Sequence, residues 1–120
     1  MDYRDEGLEA VFSALANPHR RQVIDLLSLQ PASIHQLAKQ IGMSLTAITR
    51  HISVLERAGL VVRKKSGRTN FLALDRSTMR RFQDWALQYD TAWGTDDETL
   101  ENYVAGIRSA EPDNEKASDE

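Results

Sequence analysis

A mainly α-helical fold carrying one small β-hairpin is what this chain of 120 residues predicts. Three observations point that way. Apolar residues recur at helical spacing through most of the chain, and cap-forming residues divide it into short helices. Between residues 60 and 74 the pattern changes to two strand-like runs around a glycine-containing turn. A hydrophobic fraction of 41% with 28% charged residues fits a soluble globular protein. The length fits one domain over residues 1–110 with one modest core.

Residues 5–16 read as the first helix, with Leu8, Val11, Phe12 and Leu15 at i, i+3, i+4 and i+7. Asn17-Pro18 breaks and restarts the chain, Asn as a cap and Pro at the first helical position. The second helix, 18–28, turns Val23, Ile24, Leu26 and Leu27 inward, and Gln30-Pro31-Ala32 reads as a turn. Ser33 with Gln36 three residues on is a capping box for a third helix, 34–40, burying Ile34, Leu37 and Ala38. Gly42 allows a tight turn, Met43 plugs the angle, and Ser44 caps a fourth helix, 44–58, closed by Gly59. Two short helices joined by such a turn form a helix-turn-helix.

Leu60 to Lys65 and Thr69 to Leu74 form the hairpin, with Ser66-Gly67-Arg68 between them. A helix-turn-helix followed directly by a cationic hairpin, here 61–74, is a winged helix. Asp75 or Ser77 caps a helix over 77–93 with Met79, Phe82, Trp85, Ala86, Tyr89 and Trp93 in one stripe. So many rings in a short chain point to a second subunit, the alternative being packing on the chain's own first helix. A last helix, 96–108, carries Leu100, Tyr103, Val104 and Ile107. Residues 111–120, EPDNEKASDE, read as a disordered acidic tail.

Charge narrows the function. The chain is net −3, yet residues 50–83 hold nine basic groups against Glu56 and Asp75, net +7, and residues 84–120 are net −9. A basic block beside the Ser44 helix is an electrostatic footprint for nucleic acid, and the acidic end keeps the other face away from phosphates. The Ser44 helix has Leu45, Ile48, Ile52 and Leu55 on one side. Its other side shows Thr46, Ala47, Thr49, Arg50, Ser53 and Arg57 and no carboxylate, which suits phosphates and base edges. The absence of cysteine excludes disulfides, thiolate catalysis and thiolate metal sites. Neither a transmembrane run nor the apolar core of a secretory signal occurs, so a cytoplasmic location without membrane association is expected.

LANPHRRQVIDLL and SIHQLAKQIGMSLTAITRHISVLERAGLVVRKKSGRTNFLALD, read together, resemble the ArsR/SmtB-type winged-helix repressors over about Leu15 to Asp75, half the chain. The matching set is Asn17-Pro18 with Arg20-Arg21, Ser44 with Arg50-His51, Leu55, Ala58-Gly59-Leu60, and Gly67-Arg68. DWALQYDTAW and LENYV are similar to members with a Trp-rich dimerisation helix and a further C-terminal helix. The resemblance implies a homodimeric bacterial or archaeal repressor whose Ser44 helix enters the major groove. It implies an interface of the first helix and the Asp75–Trp93 helix, with Leu8, Val11, Phe12, Leu15, Phe82, Trp85, Tyr89 and Trp93 in contact.

Two departures stand out. Many members release DNA on binding a metal or metalloid, the best-known site using a cysteine pair in the helix matching 34–40, where this chain has Ile34-His35-Gln36-Leu37-Ala38. A second site uses Asp and His along the dimerisation helix, and no histidine lies between Asp75 and Trp93. His19, His35 and His51 sit on three different helices and read as surface or cap-packing residues, so the resemblance implies a non-metal-binding subgroup with no cofactor. Leu45 replaces a residue that is often polar in the family and suits a thymine methyl.

The reading is a sequence-specific DNA-binding regulator of duplex DNA with an inverted-repeat operator. Thr46, Ala47, Thr49 and Arg50 face base edges, Arg50 toward guanine; Ser33, Gln36, Ser44, His51, Ser53 and Arg57 hold the backbone. Arg63, Lys64, Lys65 and Arg68 place the wing on phosphate or in the minor groove. The alternatives are a winged-helix protein-interaction module, which would show an apolar or acidic outer face, and a repressor binding metal through Asp96, Asp97, Glu98 and Glu101. An enzyme would need a nucleophile–base order, a phosphate-cradling loop or paired carboxylates, and none is visible. The sequence names no small-molecule effector.

Overall fold

The computed structural model describes residues 6–89 and 96–110. It contains α1 (Glu6–Leu15), α2 (Pro18–Leu29), β1 (Ala32–Ser33), α3 (Ile34–Ile41), α4 (Leu45–Arg57), β2 (Val61–Ser66), β3 (Thr69–Leu74), α5 (Arg76–Leu87) and α6 (Asp96–Ala110). The chain divides into two compact units, one ending at Gln88 and one starting at Tyr89.

Each helix of the helix-turn-helix is fixed at its ends by its own sequence. Asn17 accepts from the His19 and Arg20 amides at 2.8 and 3.2 Å, and Pro18, which has no amide to satisfy, starts α2. Ser33 and Gln36 close the capping box reciprocally: the Gln36 amide donates to Ser33 Oγ at 3.1 Å and the Ser33 amide to Gln36 Oε1 at 2.8 Å. Gly42 ends α3 at φ +81°, a left-handed conformation a side chain resists, and donates its amide to Ala38 O. Ser44 then accepts from the Ala47 amide at 3.1 Å and opens α4.

The far end of α4 is a Schellman turn, with the Leu60 amide on Leu55 O at 3.0 Å and the Gly59 amide on Glu56 O at 2.9 Å. Gly59 is required twice over. Its φ is +80°, and a Cβ there would meet the hydroxyl of buried Thr78 on α5 at 3.3 Å.

The sheet has three antiparallel strands in the order β1-β3-β2. The hairpin pairs Arg63 with Leu72, Lys64 with Phe71 and Lys65 with Asn70, and β1 pairs Ala32 with Leu72. The expected turn at Gln30-Pro31-Ala32 therefore gives up Ala32 to a strand. The extended backbone that a cap residue needs at Ser33 also suits pairing to β3, and two residues are too few to show a sequence period.

The core gathers Val11, Val23, Leu27, Leu37, Ile48, Ile52, Leu55, Leu60, Val61 and Leu72, with Ala32 packed against it, so every element from α1 to β3 contributes an apolar side chain to one interior. The inward stripe of α4 is the one the spacing predicts. The expected helix over 77–93 is shorter: α5 stops at Leu87. Beyond Phe82 and Trp85 its surface is exposed, Leu87 by 57%, so burial no longer supports further turns. Trp93 and residues 111–120 lie outside the described residues. Within the second unit, α6 carries Leu100, Tyr103, Val104 and Ile107 as one exposed apolar stripe. No helix among the described residues is long and apolar enough to cross a membrane.

Candidate nucleic-acid interface

The inner stripe of Ile48, Ile52 and Leu55 anchors α4, and that choice fixes where every other side chain of the helix goes. Thr46, Arg50 and Arg57 come out exposed on the outer side. Ser53 is half-buried beside them, and so is Ala47. Two flanks lie between the inner stripe and the outer side.

One flank meets the wing. Glu56 accepts two hydrogen bonds from Arg63, at 3.0 Å from Nε and 2.8 Å from Nη2. Leu45 and Thr49 share a groove of about 270 Å³ with Ile34, His35, Arg63, Arg68, Thr69 and Asn70. A second, more open concavity joins Leu45 and Thr49 to Thr46 and Arg50. The surface is thus continuous from Arg50 on the helix to Arg68 on the wing. Because β-strand side chains alternate, Lys65 shares the face of Arg63, while Lys64 lies on the opposite face with its partner Phe71. Lys64, Lys65 and Arg68 are all exposed.

The other flank meets α2. Nη1 of Arg20 lies 3.5 Å from Nδ1 of His51, and the His19 and His51 rings are 5.8 Å apart between centroids. Burial, then the nearby Arg20 charge, then His19 hold the His51 imidazole below its usual pKa.

The structure gives several of the expected contact residues other surroundings. Ser33 is only 8% exposed and its hydroxyl caps α3, so it has no surface for a phosphate. Gln36 is exposed, but its carbonyl oxygen is held by Ser33. Thr49 is half-buried on the wing flank, its hydroxyl donating to Leu45 O at 2.7 Å, and is not on the outer face. His51 sits half-buried on the α2 flank, a placement that leaves its expected backbone contact as it was. Arg63 is paired with Glu56 and is not an unshared cation. Ser44 is exposed and Leu45 is 44% exposed, so both are open to a partner.

The expected dimer face changes more. Leu8 and Val11 are 5% and 1% exposed within the chain itself, so they have no surface to offer a second copy. Leu15 packs on the same core. Phe12 meets Phe82 and Trp85 edge to face at 5.4 and 4.8 Å, so part of the aromatic stripe does close on the chain's own first helix. Phe12 keeps 38% of its surface exposed, and Tyr89 keeps more.

His35, Asn70, Glu56 and Arg20 belong to this region and were not legible as such. The wing register is what places Asn70 beside α4; Glu56, as the lone acid on α4, and Arg20, beside Asn17-Pro18, gave a sequence signal but not their partners.

A family profile described as a helix-turn-helix domain matches residues 15–64. The chain is similar to the uncharacterized HTH-type transcriptional regulator YuzN of Bacillus subtilis, with 33% identity over 60% of this chain and 86% of that protein. It is similar to the transcriptional repressor SdpR of the same organism at 24% identity, over 66% of this chain and 88% of SdpR. Among solved structures, that of an ArsR family transcriptional regulator aligns with a TM-score of 0.67 and 34% identity, over 73% of this chain and 91% of that one. The homodimeric winged helix-turn-helix domain Mb0332 of Mycobacterium bovis, at 22% identity, shares the fold with a TM-score of 0.61, over 92% of each chain.

Proposed function

The chain belongs to the ArsR family of winged helix-turn-helix proteins and is a DNA-binding transcriptional regulator, not an enzyme; from that premise we propose that it acts as a cytoplasmic homodimeric repressor reading an inverted repeat. Each subunit lays the outer face of α4 in a major groove. Arg50 donates to a guanine edge, Thr46 and Ala47 lie beside it, and Leu45 meets a thymine methyl. Ser44, Ser53 and Arg57 take the flanking backbone. Lys65 and Arg68 carry the wing onto phosphate, and Lys64 adds charge from the wing's other face.

The observation that carries this reading is the unbroken surface from Arg50 through Thr49 and Leu45 to Arg68. A helix face alone reaches one groove. A helix face continuous with a cationic ribbon reaches the groove and the strand beside it at once. The dimer contact rests on the outer parts of α1 and α5, where Phe12 and Leu87 stay exposed. Repression follows from occupancy, since a dimer on an operator excludes other proteins from the same DNA.

The proposal contains no metal. His19 and His51 do approach each other, but the Arg20 guanidinium lies at the same place, and a fixed positive charge disfavours a cation. Selection of bound sequences from a random duplex pool tests the reading. The expected result is an inverted repeat whose half-site centres lie about 34–36 Å apart, or a multiple of that. An enriched half-site without symmetry, or no enrichment, overturns the dimeric reading.

A further inference from the structure

Arg20 does more than one thing at the junction of α1, α2 and α4. Its Nε donates to Ala14 O at 2.6 Å and its Nη2 to Ser13 O at 3.3 Å, so it closes the C-terminal end of α1. Arg21 does the same to Leu15 O at 2.7 Å. That end of a helix carries unpaired carbonyls and partial negative charge, which a guanidinium satisfies. The third contact of Arg20 has a different character, because it is made to a ring nitrogen of α4.

A guanidinium has five N–H donors and no acceptor. As a hydrogen bond, that 3.5 Å contact makes Nδ1 of His51 the acceptor, and a neutral imidazole then carries its proton on Nε2. The low pKa of His51 agrees with a neutral ring. Among the described residues Nε2 has no hydrogen-bond partner, and no half-buried or buried residue among them hides a side-chain nitrogen or oxygen without one. Nε2–H is consequently open to solvent on the recognition helix, one residue from Arg50.

We propose that Arg20 is a positioning residue for DNA binding: it holds His51 in the Nε2–H tautomer, so that a fixed donor on the flank of α4 meets a phosphate of the bound duplex. The proposal rests on the DNA-binding reading of α4 and adds to it a residue on α2. The same guanidinium contacts the end of α1 and α4, so one side chain bridges the helix bearing Phe12 and the recognition helix.

The tautomer is measured directly on the free wild-type protein by two-bond ¹H–¹⁵N correlation spectra of the histidine rings at pH 7.5. The expected result is a protonated Nε2 and an unprotonated Nδ1 for His51; the Nδ1–H form overturns the proposal. Binding is read on the duplex that the wild type enriches from a random pool. His51→Ala and Arg20→Gln each weaken it about tenfold, as for one hydrogen bond to a charged group, and the double variant is no weaker than either single one. His51→Gln, which keeps a side-chain N–H, recovers part of the loss. Additive losses, or equal loss in His51→Gln and His51→Ala, overturn the proposal. If Arg20→Gln does not fold, the wild-type spectrum and the His51 pair still decide it. A wild type that enriches no duplex refutes the DNA-binding reading instead, and the spectrum stands apart from that outcome.

Discussion

On the flanks of α4, Glu56 holds Arg63 at 2.8 Å and His51 meets Arg20 at 3.5 Å; on its outer side, Thr46, Arg50 and Arg57 are exposed. All these residues belong to the same cationic neighbourhood of the sequence or to its partners. Geometry sorts them into two jobs. The flank pairs tie the helix to the wing and to α2, with only Nε2 of His51 left over for phosphate, while the outer side chains keep their hydrogen-bonding capacity for a partner. An arginine is thus part of the scaffold or part of the interface according to whether a carboxylate or carbonyl lies within its reach.

The comparison is broken most severely from inside. Leu55→Ala removes a fully buried anchor of α4, and should cost about 2–5 kcal/mol of stability in chemical denaturation, with DNA binding lost as the helix loosens. Ser33→Ala removes one half of the α3 capping box and should cost about 1 kcal/mol, while the salt dependence of DNA binding stays as in the wild type. Unchanged stability there would return Ser33 to the list of DNA contacts.

Glu56→Gln sharpens the distinction between flank and outer face. The pair is half-exposed, so its loss should change stability by less than about 1 kcal/mol. Arg63 then becomes available to phosphate, and the slope of log K against log salt should steepen by up to about one unit. An unchanged slope would mean that Arg63 is too far from the duplex to matter.

The smallest effect concerns pH. His51 has a folded pKa below its ordinary 6.5, so well above pH 6.5 the ring is neutral in both folded and unfolded chains. As pH falls below 6.5 the unfolded chain takes up the proton first, and stability declines until the folded value is passed. His51→Gln should lack that component of acid destabilisation in melts between pH 7.5 and 5.

Much of this molecule was legible beforehand because the local signals were short-range. Asn17-Pro18, Ser33 with Gln36, Gly42, Ser44 and Gly59 each act within a few residues of themselves, and all five end or start helices as their chemistry dictates. What was hidden was long-range. The approach of Arg20 to His51 spans thirty-one positions, and the pairing of Ala32 with Leu72 forty. The fate of Leu8 and Val11 followed the same rule. An apolar stripe states that a helix buries one face, and does not state whether its own chain or a second copy covers it.

The central claim is that the outer face of α4 reads bases while the wing holds phosphate. Arg50→Ala and Lys65→Ala, titrated side by side on the selected duplex and on random DNA over a range of salt, test it most directly. Arg50→Ala should lose about 1–3 kcal/mol on the selected duplex and relax preference at one base pair per half-site, with little loss on random DNA. Lys65→Ala should weaken both duplexes alike and reduce the salt slope by about one unit. Equal losses for Arg50→Ala on selected and random DNA would contradict the account.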